Sequence, residues 1–101
     1  GDEIHIKLVI NNQKITDFGY QGKSCIYCQA TASILSNKLI NFKTIKIRDL
    51  CEYASAYFSE NKNNLEKEWR FLAKLLSQKN AARKECILLP FNALRKIVSK
   101  I

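Results

Sequence analysis

In 101 residues the chain has no methionine, one proline, one histidine, one tryptophan and three glycines. With no Met at position 1, it is expected to begin downstream of a native start. No internal repeat and no low-complexity segment is visible. No apolar run approaches the ~20 residues of a membrane span, and no basic-then-apolar leader precedes small residues, so neither a span nor a secretory signal is expected. The single histidine, His5, would have to stand beside a thiol to form a Cys–His nucleophile pair. Nothing in the sequence puts it there, so it reads as a surface residue.

The chain does have enough apolar surface to fold, with 47% hydrophobic residues, and its length fits one domain over 1–101. The net charge of +8 admits nucleic acid, an anionic membrane or an acidic protein surface as partner. The cations are scattered, and neither zinc-finger spacing nor an aromatic RNA-binding motif accompanies them. A solvated basic surface is therefore preferred to a nucleic-acid site. Four cysteines could form two disulfides in a secreted protein. With no leader and a Lys-rich composition, reduced thiols in the cytoplasm are the expectation.

Ile4, Ile6, Leu8 and Ile10 alternate on a strand, Asn11-Asn12 can close a turn, and Thr16, Phe18 and Tyr20 alternate on a second strand. Residues 4–20 thus read as an antiparallel hairpin. The period then becomes helical. Ser24 is the expected N-cap of a helix to about Leu39, and Thr44 the cap of a second. That second helix carries Ile47, Leu50, Cys51, Ala54 and Phe58 as an apolar stripe. A third helix places Leu65, Trp69, Leu72 and Leu76 on one face. A basic connector over 79–85 leads to a last helix with Ile87, Phe91, Leu94, Val98 and Ile101. Pro90 should make that helix start after Cys86 or kink. Strands first and helices afterwards predict an α+β fold, about four helices on one face of a small antiparallel sheet.

The cysteines carry the chemistry. Cys25 follows a strand and opens a helix, with Gly22 and Lys23 before it. Cys86 opens another helix after Arg83 and Lys84. Helix N-termini and neighbouring cations favour thiolate, the form that binds metal and attacks sulfur. Arg83 could hold a thiolate or a bound anion by charge-assisted hydrogen bonds. Cys28 makes a C-x-x-C pair with Cys25, but the βαβ context of the redox motif and the second close pair of a structural zinc site are both missing. It reads as an accessory thiol. Cys51 lies in an apolar stripe and reads as core.

These motifs, in this order, resemble the NifU/IscU-type iron–sulfur cluster assembly scaffolds, most closely their SufU-like branch. The resemblance rests on Gly1-Asp2 before the hairpin and Tyr20-Gln21-Gly22-Lys23-Ser24-Cys25 before a Ser/Ala-rich helix. It continues through Asn41-Phe42-Lys43-Thr44, an insertion at 60–80, Ala82-Arg83-Lys84-Glu85-Cys86, and then Leu89 and Ala93-Leu94. It implies Asp2, Cys25 and Cys86 as metal or cluster ligands, Arg83 as a supporting residue, and a further cysteine and upstream segment before Gly1. Ser24 stands where the family has glycine, and Cys28 where the branch usually has serine.

The resemblance also implies function. The leading expectation is a scaffold, more a sulfur acceptor than an enzyme. It would take sulfur from a cysteine desulfurase, with Cys86 as the candidate acceptor, hold a transient iron–sulfur cluster and pass it to apo iron–sulfur proteins. The second is zinc-dependent sulfur transfer, with Zn2+ on the same residues. The third is a basic nucleic-acid-binding module with incidental cysteines, marked by binding that collapses with salt. A homodimer is compatible with either of the first two; a membrane partner is not expected.

Overall fold

The structure, a computed structural model, describes residues 3–100. Strand β1 (His5–Asn11) pairs antiparallel with β2 (Lys14–Gln21), followed by α1 (Ile26–Lys38), α2 (Thr44–Ser59), two 3-10 segments (Lys67–Leu72 and Gln78–Arg83) and α3 (Lys84–Val98). The architecture is α+β, as the order of elements predicts.

The hairpin closes one residue later than expected. Asn12 and Gln13, at φ of 53° and 66°, form the turn. Both central residues at positive φ match the right-handed twist of paired strands. The register then shifts between Val9 and Ile10: Val9 faces Asp17 while Ile10 faces Ile15. Thr16 is the extra residue of this bulge. The alternation expected of Thr16, Phe18 and Tyr20 is broken at its first member: Thr16 is exposed, and Ile15 takes the core position with Phe18. On β1, Ile6, Leu8 and Ile10 keep their shared inward face.

Backbone bonds fasten the hairpin to the α1–α2 connection. Ile15 N donates to Phe42 O at 3.0 Å, Asn41 N to Ile15 O at 2.7 Å and Thr44 N to Gln13 O at 2.9 Å. Asn41 makes the tight path with a φ of 73°, a conformation asparagine tolerates. Lys43, not Thr44, caps α2. Its stripe is in place: Ile47, Leu50, Cys51, Ala54 and Phe58 are all buried.

The third helical segment forms as 3-10 turns. Trp69, Leu72 and Leu75 are buried at a spacing of three, the period at which 3-10 side chains line up. Side-chain amides satisfy carbonyls along this stretch: Gln78 Nε2 donates to Tyr57 O and Lys62 O, and Asn80 Nδ2 to Lys74 O and Leu75 O. Trp69 anchors it against Phe42 and Phe71. Most of the expected connector is the second 3-10 segment, and α3 begins ahead of Cys86. Pro90 sits buried inside that helix instead of delaying it. Ile87, Phe91, Leu94 and Val98 face the core as predicted; Ile101 lies outside the described residues.

Burial pushes the Cys51 thiol from 9.0 up to about 12, against a smaller downward pull from Arg95 and ahead of a smaller upward push from Glu52. Unfolded, Cys51 ionises near pH 9; folded, it holds its proton to about pH 12. Its contribution to stability is complete below pH 9 and is lost as pH rises through that window. Urea unfolding across this range should show a smaller fall in stability for Cys51→Ala than for the parent. At neutral pH the substitution should cost ~1 kcal/mol of packing.

Candidate metal centre

The site is assembled from a turn and two helix starts. After β2 the chain turns at Gly22, whose φ is 150°. A Cβ there would run into the Glu3 carbonyl oxygen and lie 2.8 Å from Ile4 Cα, so only glycine fits. Glu3 N donates to Lys23 O at 2.7 Å, which ties the segment ahead of β1 to this turn. The Gln29 amide straps the turn from the helix side, donating to Ser24 Oγ at 2.9 Å and to Gly22 O at 3.4 Å. Ser24, expected to cap α1, is thus engaged by Gln29, and Cys25 is the N-cap.

Cys25 is half-buried at the first turn of α1, and its carbonyl accepts from Gln29 N at 3.0 Å. Cys86 is half-buried at the third residue of α3. The two helices pack together, and their starts meet through a cation–π contact: the Arg83 guanidinium lies 5.8 Å from the centroid of the Tyr27 ring. Arg83 caps α3, three residues before Cys86, and Tyr27 is the second residue of α1, two after Cys25. Below them Ile4, Cys28 and Ala32 form a small buried cluster, with Tyr20, Cys25, Leu89 and Ala93 packed against it.

The structure therefore sets Cys25 and Cys86 at adjoining helix starts, with Arg83 reaching across. Cys28 is 0% exposed beneath this surface, a position without direct access for a ligand from solvent. Cys51 is in the main core on α2. Asp2 lies outside the described residues. Among the described residues, no group of three or more His, Cys, Asp or Glu side chains is placed to hold a metal ion. His5 is exposed on the outer face, 2.7 Å from Glu3 Oε1. The donor chemistry of two half-exposed thiols suits soft, thiophilic metals such as iron and zinc. All four cysteines stand as thiols rather than disulfides.

Sequence reasoning missed Gln29 and Tyr27. Both act across a gap in the chain, Gln29 on the preceding turn and Tyr27 on a residue more than fifty positions away, and neither carries a local motif. Gly22 was visible as a glycine before a cysteine and as part of the Tyr20–Cys25 motif, but its contact with Glu3 was not.

The iron-sulfur cluster assembly scaffold protein IscU of Thermotoga maritima is 28% identical over all of this chain, which covers 71% of that protein. The chain is thus similar in sequence to an iron–sulfur cluster assembly scaffold of the NifU/IscU type. Its fold agrees: the N-terminal part of a nitrogen-fixing NifU-like protein from Brucella abortus superposes with a TM-score of 0.84 at 23% identity, covering 100% of this chain and 71% of that one. A second solved structure, of a hypothetical protein, gives 0.78 at 20% identity, covering 98% and 74%. No family model matches the chain. The stretch between α2 and α3 contains the two 3-10 segments. Among the described residues no helix is long and apolar enough to cross a membrane.

The turn yields a prediction. Gly22→Ala should destabilise the fold by about 1–3 kcal/mol through backbone strain alone, before the clash with Glu3 is counted. Gly19→Ala is the matched control, because a Cβ at Gly19 meets nothing within 4 Å. Thermal unfolding should show a clear loss for the first substitution and none for the second.

Proposed function

We propose that this chain is an iron–sulfur cluster assembly scaffold: sulfur arrives from a cysteine desulfurase, iron joins it, and the finished cluster leaves for apo iron–sulfur proteins. One observation carries the reading. Two half-exposed thiols, Cys25 and Cys86, open two helices that pack together, within a fold shared with IscU-type proteins. A scaffold has to release its cargo, and partly exposed ligands serve release better than buried ones. In this reading Asp2, Cys25 and Cys86 are ligands, Arg83 supports them with charge, and Cys28 is at most an accessory. Sulfur is accepted at Cys86: its thiolate attacks the outer sulfur of the donor's persulfide, a new S–S bond forms on Cys86, and the donor cysteine departs as thiolate. Reduced thiols are consistent with a cytoplasmic setting.

One feature favours a second reading. The stretch between α2 and α3, with Ala82–Cys86, Leu89 and Ala93-Leu94 after it, carries the likeness to the SufU-like branch, and that branch points to zinc-dependent sulfur transfer. Zn2+ would then occupy Asp2, Cys25 and Cys86, together with a ligand from outside this sequence, in tetrahedral geometry.

Metal and sulfide analysis of anaerobically purified protein, incubated with iron, cysteine and a desulfurase, separates the two. The scaffold reading expects iron and labile sulfide with visible iron–sulfur absorption. Stoichiometric zinc without that absorption would overturn it. Cys25→Ala and Cys86→Ala should each abolish metal retention, while Cys51→Ala should retain it. Unchanged metal content in Cys25→Ala would refute the ligand assignment.

A further inference from the structure

We infer that Tyr27 is a positioning residue: its ring holds the Arg83 guanidinium over the adjoining starts of α1 and α3, where the cation draws anionic sulfur species toward Cys25 and Cys86. The inference deepens the proposed function and rests on it for its biological meaning.

The geometry begins with two side chains of different exposure. Arg83 is exposed and Tyr27 is half-buried, with its ring packed against the main core. An exposed arginine on a helix cap samples many rotamers, and each is a different placement of its charge. The Tyr27 ring restricts them. Its face lies 5.8 Å from the guanidinium carbon, within the range of a cation–π contact. The guanidinium remains fully charged while stacked, because ring contact consumes none of its N–H donors. Those donors are left to face an incoming anion.

The placement matters because of what flanks it. Arg83 is the N-cap of α3 and Cys86 the third helical residue, positions that lie against each other across the first turn. Tyr27 is two residues after the Cys25 N-cap of α1. A cation held on Tyr27 therefore belongs to both thiol-bearing turns. Lys23 and Lys84 are exposed beside it and add positive potential, whereas Glu85 is the acidic residue of the α3 first turn. The substrates of this chemistry are anionic sulfur: hydrosulfide, thiolate and persulfide. A local cation raises their concentration at the site without bonding to sulfur.

The test uses the metal-free chain and two disulfide reagents. One is the dianionic 5,5′-dithiobis(2-nitrobenzoate), the other the neutral 2,2′-dithiodipyridine. Peptide mapping reads modification at Cys25 and Cys86 separately. At low ionic strength, Arg83→Gln should lower the anionic-to-neutral rate ratio by about two- to fivefold, the range expected for an exposed cation–π-scale interaction. Tyr27→Leu should lower it to a similar degree, and Tyr27→Phe, which keeps the ring, should restore it. The double variant should fall no further than Arg83→Gln alone. Tyr27→Ile serves if the leucine variant unfolds. A ratio unchanged in Tyr27→Leu or Tyr27→Ile, or losses that simply add, would overturn the inference. Because the readout involves no iron, zinc or desulfurase, it stands apart from the metal analysis that decides the proposed function.

Discussion

The close approach of α1 and α3 at their first turns is the constraint on which the site depends. It is made possible by small side chains. Cys28, Thr31 and Ala32 are fully buried on α1, and Ala93 packs from α3, with Ile4 and Leu89 closing the cluster. Bulk at these positions would push the helix axes apart, since interaxial distance follows the side chains at the contact. Cys25 and Cys86 would separate with them, and Arg83 would lose Tyr27. The glycine turn acts in the same sense, because the approach of Glu3 to Gly22 brings Ile4 into this cluster. Cys28 can thus matter to the site through its size.

Exposure divides the four cysteines into chemical classes. Cys51, in the main core, is held protonated into the strongly alkaline range by desolvation and is inert toward metal and sulfur. Cys28 is buried under the site surface. Cys25 and Cys86 alone among the four are half-exposed, each at a helix start. Burial and exposure thus separate four residues of one type.

Much of this was legible in the sequence. The stripes of α2 and α3, the inward face of β1 and the two thiols at helix starts follow from period and position, and each depends on residues close in the chain. The misreadings share a cause. The bulge at Thr16 responds to pairing with β1 and to the Asn41–Thr44 connection, so Ile15 displaces Thr16 from the core. The segment around Trp69 keeps its apolar face but forms 3-10 turns, with Trp69 N donating to Glu66 O and Ala73 N to Arg70 O at the three-residue spacing. Ser24 looks like a cap until Gln29 claims its hydroxyl. The Arg83–Tyr27 contact has no local signature, since it exists only once α1 and α3 are packed.

The proposed function turns on Cys25 and Cys86 serving one site. Dibromobimane, which becomes fluorescent when both its arms have reacted with thiols, tests this directly on the folded, metal-free chain. The expected result is a fluorescent intramolecular product whose peptide map joins Cys25 to Cys86, and its loss in either Cys→Ala variant. Modification of the two thiols without cross-linking, or a bridge joining a different pair, would contradict the claim.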